Sequence, residues 1–88
     1  MRGNKKKVSL MSQDPDEMLV KIGAKMRKVR KDMGYDNGDD FSYDAGINRS
    51  QYGKYEAGSQ DMRLSSLLKT INSLGLTLEE FFASGLGE

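Results

Sequence analysis

Residues 38–55 read Gly-Asp-Asp-Phe-Ser-Tyr-Asp-Ala-Gly-Ile-Asn-Arg-Ser-Gln-Tyr-Gly-Lys-Tyr. Phe41 and Ala45 stand four apart on one helical face. Asn37 is placed to cap that helix, and Asp39 and Asp40 fill its first turn, where the helix dipole favours acids. Gly46 stops it. Asn48 caps a second helix with Gln51 placed to reach back to it, while Ile47 and Tyr52 stand where a hydrophobic staple belongs. Gly58 ends this helix. Two short helices joined by so tight a turn must cross at close range. Gly46 can take a positive φ at the turn between them. At 100° per residue, Tyr52 and Tyr55 turn inward. Arg49, Ser50, Gly53, Lys54 and Ala57 turn outward.

Upstream, Asp14-Pro15-Asp16-Glu17 supplies an N-cap, a proline at the first helical position and acids in the first turn. Leu19, Ile22, Met26, Val29 and Met33 then recur at spacings of three and four, one apolar stripe ended by Gly34. Downstream, Leu64, Leu67, Leu68, Ile71 and Leu74 define a fourth helix closed by Gly75. Thr77 and Glu80 form a capping box for a fifth, with Leu76 facing Phe81 as its staple and an end near Ala83. No segment alternates like a strand, and no internal repeat is present. The expected fold is all-α, a bundle of five helices with short connections. Residues 14–83 form its domain, residues 1–13 a flexible basic arm carrying Arg2, Lys5, Lys6 and Lys7, and residues 84–88 a C-terminal tail.

The 88 residues contain neither Cys nor His. Disulfides and thiolate zinc sites are therefore excluded, and the commonest general base and the most reactive nucleophile are missing. An enzyme is not expected, nor a cofactor, a metal or a small-molecule substrate. Asp39 and Asp40 are adjacent and cannot face one another on a helix, and the run Asp36 to Asp40 lacks the alternating oxygens of a calcium loop. No apolar stretch reaches the 18 or so residues of a membrane span, and no signal peptide is recognisable, so a cytoplasmic location without membrane contact is expected. Net charge is +1, from 14 Lys and Arg against 13 Asp and Glu. Its distribution is uneven: Lys21, Lys25, Arg27, Lys28, Arg30 and Lys31 crowd helix 1, while Asp36, Asp39, Asp40 and Asp44 surround helix 2.

The positions of Ser42, Gly46, Ile47, Tyr52 and Tyr55 resemble the helix-turn-helix of the Cro and lambda-repressor-like (XRE) family. The likeness extends to Tyr55-Glu56-Ala57-Gly58, similar to the family's apolar-Glu-x-Gly ending, and to Leu76–Phe82, similar to its closing helix. It implies a lambda-repressor-like bundle in which helices 2 and 3 form the helix-turn-helix. It also implies a sequence-specific transcriptional regulator that lays helix 3 in the major groove of double-stranded DNA, as a homodimer. Base contacts are implied at Arg49, Ser50 and Lys54, and the full expected contact set adds Asn48, Gln51, Ser59 and Arg63. The family commonly pairs an arginine late in helix 1 with the glutamate of that ending, and Arg30 and Glu56 stand at the matching places. Helical geometry independently puts Arg30 roughly 60° from the centre of the apolar stripe, where a charge requires a partner. One departure is Gly38, which stands where the family often carries a phosphate-gripping glutamine. The competing expectation is a protein-interaction module on the same fold, such as an antitoxin-type partner subunit that uses the acidic surface of helix 2.

Overall fold

The computed structural model describes residues 14–83 and Gly85. Five helices follow one another: α1 (Pro15–Asp32), α2 (Gly38–Ala45), α3 (Arg49–Ala57), α4 (Leu64–Ser73) and α5 (Leu78–Ala83). No strand occurs among the described residues. The basic arm expected over residues 1–13 lies outside the described residues, as does the expected tail apart from Gly85.

Local chemistry sets the helix limits. The Asp14 carboxylate accepts from the Glu17 backbone N–H ahead of Pro15, satisfying one of the orphan donors of the first turn. Asn37 accepts from Asp40 N–H at 2.9 Å and Asn48 from Gln51 N–H at 2.9 Å. Thr77 and Glu80 exchange the two hydrogen bonds of a full capping box. Gly46 and Gly58 close α2 and α3 with φ of 70° and 68°, a conformation in which any other side chain would strain the backbone.

Met26, Phe41, Tyr52, Tyr55, Ile71, Leu74 and Phe81 form the buried core, so every helix contributes at least one residue to it. Two expectations of the apolar stripes need correction. Met33 is 45% exposed because α1 ends at Asp32, leaving Met33 as the cap residue that turns away from the core. Leu64 is 66% exposed because it opens α4, ahead of the turn that first meets the core. Thr70 is buried instead and satisfies its hydroxyl by donating to the Ser66 carbonyl at 2.8 Å.

Among the described glycines, the two tightest sites, Gly23 and Gly58, both lie where α1 meets α3 and its cap. A Cβ on Gly23 would lie 2.5 Å from the Glu56 carbonyl oxygen, with the Tyr55 carbonyl nearer still. One on Gly58 would lie 2.5 Å from the Val20 Cα. Both ends of this contact are thus backbone against backbone, which fixes how far α3 stands from the domain and hence how it is presented.

Candidate nucleic-acid interface

The helix-turn-helix is built from α2, the turn at Gly46 and Ile47, and α3. Ser42 is fully buried between the helices and donates to the Asp39 carbonyl at 2.9 Å. Phe41 and Tyr52 pack with ring centroids 5.0 Å apart, and Tyr35 meets the other side of Phe41 edge-on at 5.4 Å. Behind the turn, Lys69 of α4 donates to the Gly46 carbonyl at 3.3 Å. The two helices are therefore joined by a shared aromatic cluster and by hydrogen bonds at the crossing and the turn.

Arg30 and Glu56 tie α3 to α1. Arg30 Nε donates to Glu56 Oε2 at 2.7 Å and Nη2 to Oε1 at 3.0 Å, a bidentate pair in which Arg30 is only 3% exposed. Its remaining nitrogen, Nη1, donates to the Tyr35 carbonyl at 2.8 Å, so one guanidinium fastens α1, α3 and the loop before α2. The hydrogen bond to Glu56 raises the Arg30 pKa above its ordinary value against the opposing pull of burial. Tyr52 lies beside this pair with its hydroxyl buried and lacking a well-formed hydrogen bond. Burial first, and the Glu56 carboxylate second, push that hydroxyl far above the usual phenol range.

The opposite face of α3 is open. Arg49, Ser50, Gly53, Lys54 and Ala57 are all exposed, and a Cβ on Gly53 would meet nothing within 4 Å. Asn48 is exposed at the cap, its side-chain oxygen spent on Gln51 N–H. Gln51 does not reach back to that cap: its side-chain amide donates to the Tyr55 hydroxyl at 3.0 Å, because Tyr55 lies one turn along the same face. Arg63, at the start of α4, shares an open cleft with Asn48, Gln51, Tyr55 and Lys69. Ser59 does not join this group: it lines a separate cleft against the start of α1, beside Pro15 and Leu19.

The acids of α2 are partly engaged. Arg49 Nη1 lies 3.7 Å from Asp39 Oδ2, Asp40 accepts from the Asn37 side-chain amide at 3.3 Å, and Asp44 accepts from the Tyr35 hydroxyl at 2.7 Å. That last bond raises the Tyr35 pKa. On α1, Lys21, Arg27, Lys28 and Lys31 are exposed, whereas Lys25 is not part of a freely solvated face. It donates to the Gly85 carbonyl at 3.0 Å and sits over the Phe81 ring at 5.2 Å.

Two of these features were not anticipated from the sequence, the Gly23 crossing and the Asp39 partner of Arg49. A glycine inside an otherwise apolar-periodic helix is a signal of close packing, and Gly23 carries it. For the Asp39 contact no local signal exists.

No protein-family model matches the chain. Among characterised proteins, the control protein C.MunI of a Mycoplasma species is 28% identical over 68 residues, spanning 77% of this chain and 92% of that one. Among solved structures, the restriction-modification controller protein C.AhdI from Aeromonas hydrophila superposes with a TM-score of 0.67 at 29% identity. That match covers 75% of this chain and 98% of the controller. The C.Esp1396I controller tetramer, solved with its natural 35 base-pair operator, superposes with a TM-score of 0.68 over 76% of this chain and 87% of its own. At 22% identity that likeness concerns the fold. The five-helix order, the Gly46 turn and these superpositions together give the chain a lambda-repressor-like helix-turn-helix fold, similar to that of the controller proteins.

Proposed function

We propose that the chain is a sequence-specific, DNA-binding transcriptional regulator similar to the controller proteins of restriction-modification systems, acting in the cytoplasm as a homodimer. The observation that carries this reading is the open face of α3, where Arg49, Ser50 and Lys54 stand exposed around the bare backbone at Gly53. Small residues there let a helix sit deep in a major groove, and an arginine on its first turn can donate twice to guanine O6 and N7. Two copies of α3 about 34 Å apart would meet successive major grooves of a near-palindromic site. Within the domain of residues 14–83, Arg49, Ser50, Lys54 and the exposed atoms of Asn48 and Gln51 form the reading edge. Arg63, which shares a cleft with Asn48 and Gln51, borders it as a contact to the DNA backbone, whereas Ser59 lies apart from it.

The test is selection from a random duplex library at two salt concentrations, followed by variants. Arg49→Ala should weaken binding to the selected site and relax the preference at one base position. Lys54→Ala should weaken all duplexes alike and reduce the salt slope by about one contact. Lys21→Ala, on the exposed side of α1, is the control and should alter neither preference nor folding. Selection of no sequence, with no salt dependence, would sink the proposal.

A further inference from the structure

We propose that Asp39 is a specificity-determining positioning residue: its carboxylate lies beside one nitrogen of Arg49 and biases the arginine toward a neutral guanine edge and away from phosphate. The inference rests on the DNA-reading role proposed above for α3. Asp39 stands in the first turn of α2 and Arg49 opens α3, and the Oδ2 to Nη1 distance is 3.7 Å. Both side chains remain open to a ligand, at 75% exposure for Arg49 and 65% for Asp39. A guanidinium has five N–H donors in a planar fork. Contact through Nη1 leaves the Nε and Nη2 edge uncommitted to Asp39, and that edge carries the two parallel donors that guanine O6 and N7 accept.

The carboxylate acts differently on the two ligands that compete for this arginine. A phosphate oxygen is an anion, and an acid already beside the guanidinium repels it. A guanine edge is neutral, and the same acid leaves its hydrogen bonds intact. Restraint also helps the base more than the phosphate. Guanine accepts the fork in one orientation, whereas phosphate accepts it in many, so an arginine held beforehand loses less freedom in reaching the base. Asp40 supplies the internal control. It carries the same charge in the same turn, but its carboxylate faces Asn37, not Arg49.

The experiment measures affinity for the selected duplex and for a scrambled one at two salt concentrations. The proteins are wild type, Asp39→Asn, Asp40→Asn and Asp39→Glu, each also combined with Arg49→Ala, with circular dichroism melts to verify folding. An exposed ion pair corresponds to about 1.4- to 5-fold in equilibrium constant. Asp39→Asn should tighten binding to the scrambled duplex by about that factor and leave the selected duplex unchanged or weaker, so discrimination falls. Asp40→Asn should tighten both duplexes equally, Asp39→Glu should restore discrimination, and the effect of Asp39→Asn on discrimination should vanish beside Arg49→Ala. Discrimination that Asp39→Asn leaves unmoved, or lowers no more than Asp40→Asn does, overturns the inference alone. Failure of the wild type to select any duplex overturns the DNA-reading role and the inference with it.

Discussion

Replacing Gly23 and Gly53 by alanine makes the same chemical change in two helices and should move stability in opposite directions. On an open helix position alanine is better than glycine by up to about 1 kcal/mol, because it loses less backbone entropy. Gly53 is such a position, with nothing within 4 Å of its would-be Cβ. Gly53→Ala should therefore stabilise the domain by about 0.5 to 1 kcal/mol. At Gly23 the new methyl would sit 2.5 Å from the Glu56 carbonyl oxygen and 2.8 Å from its carbon, both backbone atoms of α3 that no rotamer change can remove. The helices must separate by at least about half an ångström, an overpacking that costs about 3 kcal/mol at a backbone contact, so the net loss after the propensity gain is about 2 kcal/mol. For a domain of this size that difference lowers the melting temperature by about 8 to 16 °C, against a rise of about 2 to 8 °C for Gly53→Ala. Urea denaturation followed by circular dichroism at 222 nm measures both. Because Arg49 rides on α3, Gly23→Ala should also weaken DNA binding at temperatures where it remains folded. A Gly23→Ala variant as stable as wild type, or more so, would refute the close crossing as the feature that seats α3.

Removing one member of the Arg30–Glu56 pair should cost about 3 to 5 kcal/mol, and removing both together less than the sum, since a lone buried charge is worse than none. Additive losses for Arg30→Met and Glu56→Leu in a urea double-mutant cycle would contradict the pairing. Tyr52→Phe should change stability at pH 7 by less than about 1 kcal/mol, because the buried hydroxyl has no well-formed partner to lose. The folded pKa of Tyr52 is raised, so the wild type binds more protons folded than unfolded once pH passes about 10, and its stability falls from there upward. Melts from pH 8 to 11 should therefore show a shallower alkaline loss in Tyr52→Phe, and identical slopes would count against the burial of that hydroxyl. Gly38→Gln should raise affinity for every duplex alike by adding a phosphate contact, while the press of its Cβ on the Tyr52 ring at 3.3 Å offsets the helix-propensity gain and leaves stability within about 1 kcal/mol of wild type. A gain confined to one sequence, seen by competition binding, would mean that the added side chain reads bases.

The starts of α1, α2, α3 and α5 and the ends of α2 and α3 were legible in the residues themselves. Asp14, Asn37, Asn48 and Thr77 each bond an N–H three residues on, and Gly46 and Gly58 each take a left-handed turn, so these devices need only their immediate neighbours. The outward face of α3 was equally legible, because the 3.6-residue period sorts Tyr52 and Tyr55 from Arg49, Ser50 and Lys54 before any packing is known. Tertiary structure decided the rest. Met33 and Leu64 obey the apolar period yet lie exposed, because each stands at an end of its own helix, and burial depends on where a helix begins and ends as well as on the period. Gln51 chose Tyr55 over its own cap, and Lys25 chose a carbonyl 60 residues away together with the face of Phe81, since long side chains are placed by whatever stands within reach. Arg30 could be assigned a partner from its place on the wheel and from resemblance, but its threefold engagement with Glu56 and the Tyr35 carbonyl exists only once α1 and α3 have met. The Asp39 contact with Arg49 is of the same kind. Local capping is a property of the chain, whereas a contact between two helices is a property of their crossing, and that crossing is set by the backbone approach at Gly23.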